Sequence, residues 1–134
     1  MKVFLDTNVL TSALATRGLC HELFIVVISD HQLISSNTVL TELQRVLTTK
    51  LKIPEVTTAG FVRMISETAQ IIDSQTQLDG IPDPNDAPIL AAAIEAKSSY
   101  FVTGDKALLK LKAISDLPIV SPREFWQALS NVPD

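Results

Sequence analysis

The chain has 134 residues, the length of one domain; 46% of them are hydrophobic and 19% are charged. This composition excludes a disordered chain, and apolar runs such as residues 23–28 are far too short to span a bilayer. The net charge of −4 argues against binding of nucleic acid through a broad positive field, although bound divalent cations would reverse the local sign.

The single cysteine, Cys20, cannot form an internal disulfide bond and offers no Cys/His framework for zinc. No signal peptide or membrane anchor is visible in the sequence. We therefore expect a cytoplasmic protein with no membrane partner and a single domain over residues 1–134.

Short apolar strands alternate with amphipathic helices along the chain. Strands are predicted at residues 2–5, 32–35, 71–72, 100–103 and 119–120. Helices are predicted at residues 37–47 with Asn37 or Thr38 as the N-cap, 57–69, 82–97, 106–111 and 122–129. Residues 21–29 are assigned as a helix, although their Ile and Val content also suits a strand. This alternation predicts a small three-layer α/β/α domain with a central, mostly parallel sheet.

Two aspartates follow predicted strands, and this is where ligands bind in open parallel sheets. Asp6 comes directly after the first strand, and Asp105 follows the strand at residues 100–103 and Gly104. The alternative is that Asp6 ends its strand through local hydrogen bonds and that Asp105 only caps the helix after it.

Two further acids belong to predicted helices. Glu42 lies at the border of an apolar stripe, where its carboxylate is partly desolvated unless it reaches out to water. Asp86 points toward the face that packs on the sheet, whereas Asp83, near the start of the same helix, is expected only to cap it.

Four carboxylates brought together would repel one another, so they would take up protons or hold a divalent cation. Oxygen ligands alone select Mg²⁺ or Mn²⁺, and such a site suits hydrolysis of phosphodiester bonds. No protein nucleophile is needed, and neither His21 nor His31 has a Ser or Cys partner at a motif spacing.

An ordered set of motifs over nearly the whole chain resembles the PIN-domain ribonucleases. The motifs are Phe4-Leu5-Asp6-Thr7-Asn8-Val9-Leu10, Val39-Leu40-Thr41-Glu42-Leu43, Asp83-Pro84-Asn85-Asp86, Val102-Thr103-Gly104-Asp105-Lys106 and the closing Pro118-Ile119-Val120-Ser121-Pro122-Arg123-Glu124-Phe125. The resemblance implies an endoribonuclease that uses Mg²⁺ or Mn²⁺, with the catalytic and metal-binding acids carried by Asp6, Glu42, Asp86 and Asp105. It also implies an RNA substrate, a homodimer and service as the VapC-type toxin of a toxin–antitoxin pair, with an antitoxin protein as partner.

Two positions depart from the pattern of these relatives, which often carry Asp where this chain has Asn85 and Ala107. These changes leave open whether one metal ion or two would bind. They also favour an alternative, a non-catalytic PIN-like module that binds protein or RNA. A haloacid dehalogenase-like phosphotransferase would need a second acid at the place that Asn8 occupies.

Overall fold

The computed structural model describes residues 1–131 and contains a six-stranded sheet. Its strands are β1 (Lys2–Leu5), β2 (Gln32–Ser35), β3 (Gln70–Ile71), β4 (Tyr100–Val102), β5 (Ala113–Ile114) and β6 (Leu117–Val120). They lie in the order β3-β2-β1-β4-β6-β5, and every pair is parallel except β5 with β6. Because β1 and β4 are neighbours, the residues that follow these two strands meet at one edge of the sheet.

Residues 1–131 contain seven α-helices, of which six lie between strands and the seventh follows β6. They are α1 (Thr7–Ala15), α2 (Leu19–Asp30), α3 (Asn37–Arg45), α4 (Glu55–Thr68), α5 (Ala87–Glu95), α6 (Lys106–Leu109) and α7 (Pro122–Ser130). A π-helical turn at Val46–Lys50 extends α3, and a 3₁₀ turn at Pro84–Asp86 precedes α5. The predicted three-layer α/β/α fold with a mostly parallel sheet is confirmed.

The central strands form the core because apolar residues fill both of their faces, as expected of a parallel sheet covered by helices. Val3, Phe4 and Leu5 of β1 are fully buried, as are Phe101 and Val102 of β4. The rings of Phe4 and Phe101 stack with their centroids 5.2 Å apart. This packing fixes the register of β1 against β4, and hence the relative positions of the residues that follow them.

Several predicted boundaries were wrong for local reasons. The N-cap of α3 is Ser36, whose hydroxyl accepts from the backbone N–H of Val39, and not Asn37 or Thr38. The helix predicted over residues 82–97 is shorter, because Asp83 caps a 3₁₀ turn and α5 follows only from Ala87 to Glu95.

Three elements were not predicted: the helix α1, the π-helical turn at Val46–Lys50 and the strand β5. The helix α1 begins at Thr7, directly after a polar segment that was interpreted as a turn. The two-residue strand β5 forms a hairpin with β6 through Ser115 and Asp116, whose φ angles of 47° and 67° suit a tight hairpin turn.

Among residues 1–131, no single helix is long and apolar enough to cross a membrane. The helices α1 and α2, which meet at a bend of 107°, have the necessary length and apolar composition only when they are counted together. The predicted domain range of 1–134 includes residues 132–134, which lie outside the described residues.

Candidate active site

All four acids singled out in the sequence line one cavity at the carboxyl edge of the sheet. Asp6 follows β1, Asp105 follows β4, Glu42 lies in α3 and Asp86 precedes α5. The cavity has a volume of about 320 Å³, and its lining consists of Asp6, Thr7, Asn8, Thr11, Ser12, Glu42, Val46, Asp86 and Asp105. The structure thus brings together four carboxylates that are remote in the chain.

Asp6 is the most constrained of these acids. Its Oδ1 accepts a hydrogen bond of 2.9 Å from the N–H of Thr7, and its Oδ2 accepts from Thr103 Oγ1 at 2.8 Å and from Asn8 Nδ2 at 3.2 Å. Its backbone N–H also donates to Val102 O at 3.0 Å, which ties β1 to β4. These contacts fix both oxygens and leave one acceptor site, on Oδ1, for a further ligand.

Asn8 and Thr103 extend this network across the sheet edge. Asn8 Oδ1 accepts from the N–H of Gly104 at 2.8 Å, and Thr103 Oγ1 accepts from the N–H of Asp105 at 3.0 Å. The same two side chains therefore orient Asp6 and shape the turn that carries Asp105. Sequence reasoning did not give them this role; the available signal was their position beside the two acids.

Asp105 and Asp86 both precede helices but differ in their bonding. Asp105 Oδ1 caps α6 by accepting from the N–H groups of Ala107 and Leu108, at 2.8 and 3.3 Å. The side chain of Asp86 makes no capping hydrogen bond to α5. Asp83, as expected, accepts from the N–H of Asn85 at 2.9 Å. Asp86 is therefore the acid whose carboxylate is least engaged by its own helix.

Two of the carboxyl groups in this cavity, those of Asp6 and Asp86, have raised pKa values. Burial raises the pKa of Asp6, and the nearby Glu42 and Asp105 raise it further, against the opposing hydrogen bonds from Thr103 and Thr7. Partial burial, together with the charges of Asp6, Asp83, Asp105 and Glu42, raises the pKa of Asp86 to about 6. Both shifts come first from burial of the carboxyl group and then from the negative charges beside it.

The donor set fits a hydrated hard cation. Within residues 1–131, no three side chains of His, Cys, Asp or Glu are placed to ligate one ion directly. Mg²⁺, however, commonly binds through one or two carboxylates and keeps several of its waters. An oxygen-lined cavity of about 320 Å³ has room for such an ion with its water.

The two departures from the family pattern lie at the margin of this cavity. Asn85 is exposed and lines a neighbouring groove rather than the acidic cavity itself. Ala107 is also exposed, and its N–H donates to Asp105. Neither residue takes part in orienting Asp6.

The side chain of Cys20 packs against the hydrophobic core. Its side chain is only half-buried and lines a cavity of about 370 Å³ on the other side of Asn8 and Asp105. Burial raises the pKa of the thiol, which disfavours the reactive thiolate.

Comparisons with known proteins bear on the family and the fold of this chain. The family model described as the PIN domain matches residues 2–107. Thirteen chains of solved structures match significantly, among them one from the crystal structure of VapBC2 from Rickettsia felis bound to a DNA fragment from their promoter. That match has a TM-score of 0.63 and 18% sequence identity, and it covers 90% of this chain and 98% of the other. At this identity the likeness shows the fold alone.

A comparison with curated proteins found no significant match. The family model covers well over half of the chain and includes Asp6, Glu42, Asp86 and Asp105. The chain therefore belongs to the PIN-domain family.

Proposed function

We propose that this protein is an endoribonuclease that depends on Mg²⁺ or Mn²⁺, with Asp6, Glu42, Asp86 and Asp105 as its catalytic and metal-binding residues. The observation that carries the proposal is the convergence of these four carboxylates on one cavity at the carboxyl edge of a parallel sheet. Membership of the PIN-domain family supports it.

The four acids would divide the work according to their contacts. Asp6 presents a carboxylate held in a fixed orientation by Thr7, Asn8 and Thr103. Asp105 has one oxygen engaged in capping α6, which leaves its Oδ2 for a ligand. Asp86 keeps a carboxylate that its own helix does not cap.

When bound, the divalent ion would supply an activated water and neutralise charge that develops on the phosphate. Glu42, which lies in α3 and lines the cavity, would bind the ion through its carboxylate or accept a hydrogen bond from one of the ion's waters. Burial and the neighbouring carboxylates raise the pKa of Asp86 to about 6, so its carboxyl is still mostly ionised at neutral pH and can bind a cation there.

We further propose that the protein acts in the cytoplasm as the toxin of a toxin–antitoxin pair, as a homodimer with an antitoxin partner. The VapBC2 structure from Rickettsia felis supports this assignment through its shared fold. The alternative of a non-catalytic module is favoured by Asn85 and Ala107, and a cleavage assay distinguishes the two.

The test is cleavage of a labelled single-stranded RNA with and without Mg²⁺ or Mn²⁺, in the wild type and in Glu42→Gln. We expect the variant to fold normally and to lose at least about ten-fold in activity, since groups that support a bound metal commonly have effects of that size. The matched control is Glu95→Gln, because Glu95 is exposed at the opposite end of α5 from Asp86.

Equal activity in wild type and Glu42→Gln would assign Glu42 to the surface and not to the site. Absence of cleavage of any RNA, with either metal, would instead support the non-catalytic module.

A further inference from the structure

A second groove opens beside the acidic cavity, on the exposed face of α3. Its volume is about 600 Å³, and its lining consists of Asn37, Thr38, Thr41, Glu42, Arg45 and Asn85. Glu42 lines both this groove and the acidic cavity, so the two spaces adjoin. We call this second space the α3 groove. Every side chain that lines it can form hydrogen bonds.

Arg45 is the one cation among the residues that line these two spaces. It shares a helical face with Thr38, Thr41 and Glu42, because their spacings of three and four residues bring side chains to the same side. Within residues 1–131 the single ion pair joins Arg63 and Glu67 on α4. The exposed guanidinium of Arg45 therefore forms no ion pair with a carboxylate among residues 1–131.

The backbone at Arg45 is held by the π-helical turn that follows it. The hydroxyl of Thr49 donates to the carbonyl of Arg45 at 2.5 Å, and the N–H of Leu51 donates to Val46 O at 3.1 Å. π-Helical turns are rare and often occur at functional sites. Val46, the first residue of this turn, also lines the acidic cavity.

A polyanion approaching four carboxylates needs favourable charge nearby, and the net charge of −4 provides no broad positive field. Arginine binds phosphate through two parallel hydrogen bonds and suits this role better than lysine. Side chains three residues apart on a helix have Cβ atoms about 5–6 Å apart. Arg45 therefore lies close to Glu42 along the path of a bound RNA strand.

We propose, on the basis of the ribonuclease function proposed above, that the α3 groove binds the segment of single-stranded RNA next to the cleaved bond, with Arg45 paired to the adjoining phosphodiester. Thr38, Thr41 and Asn85 supply hydrogen bonds to sugar and phosphate oxygens of that segment. Asn85 thereby serves in substrate binding at a position where relatives often carry an acid.

The test uses Arg45→Gln and measures binding separately from cleavage. Affinity for a labelled single-stranded RNA is measured by fluorescence anisotropy in Ca²⁺ over a range of salt concentrations. We expect the affinity to fall about ten-fold. The slope of log affinity against log salt should also become shallower by about 0.7, the value for one phosphate contact on a single strand.

Cleavage is then compared on two substrates, the RNA and bis(p-nitrophenyl) phosphate, a diester with no neighbouring phosphate. Arg45→Gln should raise KM for RNA and leave hydrolysis of the small diester and the Tm unchanged, while Arg45→Lys should restore part of the RNA affinity. The control is Arg17→Gln, which removes an exposed arginine beyond the far end of α1 and should change neither measurement.

Unchanged RNA affinity and salt slope in Arg45→Gln would overturn the proposal, as would an equal loss with Arg17→Gln. A loss of Tm with no specific loss of RNA affinity would show that Arg45 only stabilises the C-terminus of α3. If the wild type binds RNA in this way but cleaves no substrate, the groove assignment stands and the nuclease function fails.

Discussion

Thr103 links the two acids at the strand ends through a single hydroxyl. Its Oγ1 donates to Asp6 at 2.8 Å and accepts from the backbone of Asp105 at 3.0 Å, and the side chain is fully buried. A buried carboxylate that loses a donor is left less well solvated. The hydroxyl therefore positions Asp6 without being a ligand itself.

We predict that Thr103→Val lowers the free energy of unfolding by about 1–3 kcal/mol, because it leaves a buried oxygen of Asp6 short of a donor. The measurement is urea denaturation at neutral pH. The loss should shrink at low pH, where Asp6 is protonated and needs less stabilisation of its charge.

Thr58→Val is the matched control for this prediction. Thr58 is also fully buried, but its hydroxyl has no hydrogen-bond partner within residues 1–131. Replacing an unsatisfied hydroxyl with a methyl group should leave stability unchanged or raise it. Equal losses in the two valine variants would show that the Thr103 hydroxyl has no special relation to Asp6.

Asp86 gives a pH dependence of stability whose sign follows from its raised pKa. The carboxyl has a pKa of about 6 in the folded protein against an ordinary 3.8, so the native state binds more protons between these values. The stability that Asp86 contributes is fully present below pH 3.8 and is lost as the pH rises through about 6.

We therefore predict that, in EDTA, Asp86→Asn has a higher Tm than the wild type at pH 7.5 and nearly the same Tm at pH 4. Thermal denaturation at the two pH values measures this. Asp79→Asn, a change at an exposed aspartate outside the acidic cavity, should show no such pH-dependent difference. A wild type that is the more stable protein at pH 7.5 would contradict the prediction.

The elements that carry the site were largely predictable because their sequence signals are local. The strand at Lys2–Leu5 and the strand at Gln32–Ser35 were predicted with correct bounds, since each is a short apolar run that ends at a polar cluster. The predicted start of α7 at Pro122 was also correct. Ser121 and Glu124 form a capping box there, and Pro122 occupies the first turn of the helix.

The elements that were missed depend on alternatives that a short segment cannot decide. Asp6-Thr7-Asn8 is as suitable for a turn as for a helix start, and the choice of α1 follows from the hydrogen bond of Asp6 to β4. The π-helical turn and β5 have only five and two residues, which is too short for a periodic pattern of apolar side chains to identify. Tertiary packing therefore selected among local options.

The position of the four acids could be predicted only as a consequence of the fold. Parallel order places the ends of β1 and β4 side by side, so Asp6 and Asp105 follow directly from the topology. The α3 groove and the network through Asn8 and Thr103 bring together side chains from separate elements, and that arrangement depends on the tertiary structure. These features emerge from the structure alone.

The whole molecule should respond to a divalent cation through its stability, because a ligand that binds only the native state raises the free energy of unfolding. At a concentration one hundred times the dissociation constant the gain is about 2.7 kcal/mol, which corresponds to a rise in Tm of about 10 °C for a domain of this size. We predict such a rise with Mg²⁺ or Mn²⁺ at pH 7.5, where the carboxylates are ionised and repel one another most.

The double variant Asp6→Asn with Asp105→Asn should lose this metal-dependent rise, because it removes the two acids that follow β1 and β4. Asp79→Asn with Asp116→Asn is the matched control, since it removes the same charge from exposed positions outside the cavity. Differential scanning calorimetry with and without the metal gives both shifts. If the two double variants keep equal metal-dependent rises, the ion binds elsewhere on the molecule and the acidic cavity is not its site.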